Sequence, residues 1–280
     1  MKKYIIIFLI QFFILSNSAY PLSPQSGFKE CTVSYFVADN GGEFLKTARK
    51  LFEQSKFQEA KDFLLSRLIF LYKQGLVLTE AWQLLGHACL ILEDYKNAYA
   101  SYAMCIFLMD GGMEKQTIVG VLESIYEKYA KDAFELKADS GLDAVSIALD
   151  YLSNYSTKLA LLGDYKNEYL AYKYSLNLKP GTYNDLIKRL ELRSCMIKLL
   201  HKEKEIFIKS DINVESMIVF QIEQIFAECK LLELKGFLNA DVLKERAFAY
   251  FEQGEYAESI KDMKQSLMLR LGVDSVDKVC

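Results

Sequence analysis

Apolar positions recur at three- and four-residue spacing along most of the chain, with polar residues between them. Phe44, Ala48 and Leu51 open the pattern; Val121, Leu122, Ile125, Tyr126 and Tyr129 repeat it, as do Leu142, Val145, Ile147, Ala148 and Leu152. Ile218, Ile222, Ile225 and Phe226 form a further set. Each set is one face of an amphipathic helix. Thr182 followed by Asp185 has the form of a capped helix start, and Leu186, Ile187, Leu190, Ile197 and Leu200 continue it. No stretch alternates strictly between hairpin turns, so strands are not expected. Beyond Pro24 only Pro180 interrupts the chain, so long helices are permitted nearly everywhere. The pattern predicts an all-α protein of roughly eleven helices.

Glycines at Gly41-Gly42, Gly75 and Gly111-Gly112 punctuate this pattern at intervals of roughly 34 residues, which marks a repeat. The clearest unit spans 79–112. Trp82, Leu85, Gly86, Ala98, Tyr102 and Cys105 stand in it at the spacing W-x2-L-G, then A-x3-F, then a small residue, with Cys89 in place of a Tyr. This stretch resembles a tetratricopeptide repeat. Small Gly86 and Ala98 let helix A approach helix B, while Trp82, Leu85 and Tyr102 fill the surrounding space.

Weaker copies share the frame. One covers 41–74, with Ala48, Phe57, Ala60 and Leu64, but places Arg67 where a small residue is usual, which leaves its packing on the next unit in question. Another covers 149–182, with Leu152, Ser156, Leu159 and Tyr172, ending at Pro180; its Glu168 replaces a small residue and is expected to tilt toward solvent. The last covers 240–272, with Leu243, Ala247, Ser259 and Ser266. An aromatic opens helix B in all four: Phe57, Tyr95, Tyr165 and Tyr256. Such a ring can cap the turn and pack on adjoining helices. The resemblance implies a right-handed superhelical array of antiparallel helix pairs, a TPR-like α-solenoid over 41–272, with a C-terminal tail at 273–280.

The first residues have a different pattern. Lys2 and Lys3 precede an apolar stretch at 4–15 broken only by Gln11, and Ser16-Asn17-Ser18-Ala19 offers a cleavage point. That is the form of a secretory signal peptide over 1–19, and the stretch, about 18 Å as a helix, falls short of a bilayer core of about 30 Å. The mature chain is therefore expected to be exported, secreted or periplasmic, without a membrane span; an uncleaved anchor is the lesser alternative. Residues 20–40 lack helical periodicity and are expected to be a flexible lead-in.

Composition narrows the function classes. A chain that is 51% hydrophobic and 25% charged buries a full core and is not disordered. With 34 Lys+Arg against 37 Asp+Glu, no basic field invites nucleic acid. The six cysteines form no close CxxC pair, and Cys89 and Cys105 are expected to be small core residues.

Candidate chemistry is sparse. His87 and His201 are the two histidines, and neither lies in a nucleophile, zincin, phosphate-loop or dinucleotide motif. His87 falls on helix A, where it is either a groove residue or an ordinary half-exposed histidine, and His201 sits in a charged run. No metal, cofactor or catalytic residue is assigned. Asn154-Tyr155-Ser156 matches a glycosylation acceptor, but Ser156 is expected to be buried in a helix contact. Resemblance to the family implies instead that the helix-A faces bind a peptide or protein segment, through Arg49, Phe52, Gln83, His87, Leu90, Lys244, Phe248 and Phe251. Leu45 and Gln83 stand where a carboxylate clamp would be, so that specialisation is not expected. The leading expectation is a non-catalytic interaction scaffold. An exported all-helical enzyme using carboxylates or histidine, and a structural subunit of an envelope or secretion assembly, remain alternatives.

Overall fold

The computed structural model describes residues 37–73, 78–109, 111–131, 136, 143–210 and 212–272. The expected signal peptide, most of the lead-in, Gly75 and the 273–280 tail lie outside the described residues. Among those described there are helices and no strand. They are α1 (Val37–Glu53), α2 (Phe57–Lys73), α3 (Thr79–Ile91), α4 (Tyr95–Leu108), α5 (Met113–Lys131), α6 (Ala144–Leu162), α7 (Tyr165–Asn177), α8 (Tyr183–Lys202), α9 (Lys204–Ile208), α10 (Val214–Leu234), α11 (Ala240–Glu252) and α12 (Tyr256–Leu271). The chain divides into two compact units, up to Lys131 and from Asp132 onward.

In the first unit α1 packs on α2 and α3, α2 on α3, α3 on α4, and α4 on α5. The turn inside each pair is made the same way. Ser55 in the first pair and Glu93 in the second take the left-handed conformation (φ 57° and 61°) two residues before the aromatic that opens helix B. Gly163 and Gly254 do so in the second unit (φ 71° and 82°). A left-handed residue there ends one helix and reverses the chain at once. Asp94 caps α4 by accepting from the Asn97 amide and side chain (3.3 and 2.8 Å), and Asp164 caps α7 through Asn167 at 3.3 and 2.7 Å.

The close approach expected at Gly86 is present: a β-carbon there would stand 2.8 Å from Tyr102 Cε1. Trp82, Leu85, Ala98 and Tyr102 are all buried around it, as are Cys89 and Cys105, both unbridged. Cys105 Sγ faces the Thr79 carbonyl at 3.6 Å, and Ser266 Oγ donates to the Ala240 carbonyl at 2.6 Å, at the equivalent place in the last pair. A small residue near the end of helix B thus reaches the start of helix A in both. Arg67 does not disturb the packing of α2 on α3, since it lies in solvent with its guanidinium 5.7 Å from the Phe63 ring centroid. Gly41 and Gly42 lie inside α1, which starts at Val37 within the expected lead-in, so they do not punctuate the chain as their spacing suggested.

In the second unit α6 packs on α7 and α8, α7 on α8, α8 on α9, α10 and α11, and α10 on α11, which carries α12. Thr182 and Asp185 form the expected capping box, and Asp185 also accepts from Gly181 N and Ser146 Oγ, tying the start of α8 to α6. Ser156 is buried, as expected.

Glu168 corrects the sequence reading: it does not tilt toward solvent but is 5% exposed and accepts a hydrogen bond from Tyr172 Oη at 3.0 Å. Burial raises its pKa, and the Tyr172 bond offsets only part of that. A carboxyl whose folded pKa is raised binds more protons folded than unfolded. Its contribution is therefore best at low pH and is lost as pH rises from the unfolded value through the folded one. Glu168→Gln keeps the Tyr172 bond without the buried charge. It is expected to raise Tm by a few degrees at pH 7 and to narrow the gap at pH 4, in melts followed by circular dichroism.

Candidate functional site

In the first unit α1 meets α3, in the second α6 meets α8 and α8 meets α11, and side chains tie these neighbours together. In the first unit Arg49 of α1 donates from Nε to Glu80 Oε1 of α3 at 2.9 Å. In the second, Lys188 of α8 pairs with Asp150 of α6. Farther along, Lys198 of α8 sits 5.0 Å from the Phe248 ring centroid of α11, and His201 Nε2 is 2.7 Å from Glu252 Oε2. These ties put a row of polar heads over aliphatic stems and rings.

Seven of the eight predicted residues fall into two groups. Arg49, Lys244, Phe248 and Phe251 lie at or near the surface. Lys244 pairs with Glu245 at 2.8 Å, and this contact raises its pKa. Phe251 is 57% exposed and meets Tyr256 edge-on at 5.7 Å. Phe52, Gln83 and His87 are instead buried, so none presents its side chain on the face. Phe52 packs edge-on against Phe57 at 5.5 Å. His87 Nδ1 is 2.7 Å from Tyr102 Oη, and burial pushes its pKa down to about 4, so the ring is neutral at pH 7. Leu90 is half-buried near the end of α3. The structure brings together Lys244, Phe248 and Phe251 on α11, and separately Arg49 with Glu80.

Two pairings were not foreseen. Lys128 donates to Tyr95 Oη at 2.7 Å and stands over its ring, and Lys202 stands 4.7 Å from the Tyr165 ring centroid. In each case a helix A clamps the aromatic that opens the preceding helix B. The other is a buried ionic cluster between α8 and α10. Arg193 donates to both Glu228 oxygens (3.1 and 2.8 Å) and to Gln221 Oε1 (2.5 Å), and Arg189 reaches Glu228 at 3.0 Å. Its signal in the sequence is a charge inside an apolar face on each helix: Arg193 between Leu190 and Ile197, Glu228 between Ile225 and Leu232.

Among the described residues no group of three His, Cys, Asp or Glu side chains could hold a metal ion, and no helix is long and apolar enough to cross a membrane. No protein-family model and no characterised protein matches this chain.

Proposed function

We propose that this chain is a non-catalytic interaction scaffold. Within each unit the helix pairs stack as a right-handed, TPR-like array, and the helix-A face receives a protein or peptide segment after export. The observation that carries this reading is the row formed by α6, α8 and α11, where Lys198 over Phe248, Lys244 and the exposed Phe251 offer apolar contact framed by charge. Such a surface suits one side of an amphipathic helix. The recurrent turns, the Gly86–Tyr102 contact and the matching Cys105 and Ser266 contacts support the repeat frame.

The test is a capture experiment on the exported fraction with wild type and the Phe248→Glu/Phe251→Glu variant in parallel. The reading predicts a partner retained by wild type and reduced at least tenfold with the variant, at unchanged helical content. Identical capture by both would sink it.

A further inference from the structure

Helix α12 has its polarity inverted. The face it turns to α11 carries Ser259, Asp262 and Ser266. Ser259 donates to the Ala247 carbonyl (2.8 Å), Ser266 to the Ala240 carbonyl (2.6 Å), and Asp262 accepts two bonds from Arg246 (2.6 and 2.9 Å). Tyr256, Ile260, Met263, Leu267 and Leu271 lie on an adjoining flank, between 41% and 59% exposed. At 100° per residue they fall within an arc of about 80°, a continuous stripe. Every earlier helix B has its flank covered by the helix A that follows: α2 by α3, α4 by α5, α7 by α8 and α10 by α11. For α12 no such cover exists among the described residues.

We propose that a second copy of this chain covers the stripe, with the two α12 helices antiparallel about a two-fold axis. The spacing is self-complementary. Tyr256 and Leu271 are equidistant from the midpoint between Met263 and Lys264, and so are Ile260 and Leu267. An antiparallel pair therefore sets Tyr256 against Leu271 and Ile260 against Leu267 twice over, which is an isologous contact. Among its described residues α1, the first described helix, exposes no large hydrophobic side chain that would complement the stripe head to tail. The five side chains present on the order of 100 Å² each, so pairing removes about 1,000 Å² from water, the lower limit for a specific interface. Association is consequently concentration-dependent. Lys264, beside the axis, lays its stem on the stripe and keeps its ammonium in solvent.

Sedimentation of the exported chain between about 1 and 200 µM tests this by mass action. The mass is expected to rise from one to two times that of a single chain and no further. Ile260→Glu/Leu267→Glu is expected to stay monomeric with an unchanged circular-dichroism spectrum. Orientation is read by cysteine cross-linking with Cys31, Cys195 and Cys280 replaced by Ser. Lys264→Cys should oxidise to a dimer at least tenfold faster than Ala257→Cys, whose two copies would sit about 20 Å apart along the axis. The cross-link decides the matter even if the double substitution lowers stability. A monomer throughout, a dimer that survives the double substitution, mass that grows without limit, or equal cross-linking at both positions would each overturn the proposal.

Discussion

Gly86→Leu is expected to unfold the first unit at a markedly lower urea concentration than wild type. Leucine gains almost 1 kcal/mol of helix propensity over glycine. Against that, its first side-chain carbon already lies 2.8 Å from Tyr102 Cε1 and 3.0 Å from Cδ1 and Cζ. The ring cannot step aside: it has no exposed surface, and its hydroxyl is held at 2.7 Å by His87 Nδ1. Three further carbons must then displace the ring or separate α3 from α4. Overpacking usually costs about 1–3 kcal/mol, and here the upper end applies, leaving a net loss of about 2 kcal/mol. The readout is specific, because Trp82 is the chain's single tryptophan and is buried in the same unit. An unchanged midpoint in Trp82 fluorescence would mean that α3 and α4 do not meet at Gly86.

Glu228→Ala is expected to do comparable or greater damage to the second unit. Glu228 is the shared anion for Arg193, almost fully buried, and Arg189. Truncating it leaves the Arg193 charge between α8 and α10 with only the neutral Gln221 oxygen, and Arg189 with the Leu178 carbonyl; breaking a buried ion pair costs about 3–5 kcal/mol. Replacing both partners, as in Arg193→Met/Glu228→Leu, removes the desolvated charge and should recover at least half of that loss. Amide exchange in α8 and α10 measures it. Equal protection in Glu228→Ala and wild type would show that the cluster contributes nothing to stability.

The helices were legible in the sequence because apolar spacing at three and four residues follows directly from the helical period. The pairs were legible where small residues mark a crossing, as at Gly86 and Ala98. Glu168 was misread for a physical reason: one carboxylate in a small-residue position can be buried if a neighbour, here Tyr172, satisfies it, and that neighbour sits on the same helix one turn away. Gly41-Gly42 misled because glycine permits a turn without requiring one. Repeat position alone did not separate His87, which turns inward to Tyr102, from Phe251, which does not; that difference depends on which side chain from helix B fills the space.

The ties across the helix-A faces bear on how anything would reach them. Arg49 is met by Glu80 and Lys188 by Asp150, and Lys244 is met by Glu245 of its own helix. Charges cancelled locally throw little field into the solvent beyond a Debye length of about 8 Å. A ligand would then arrive by unguided collision, at rates near 10⁵–10⁶ M⁻¹s⁻¹ that added salt barely alters, and selection among ligands would fall to fit and residence time.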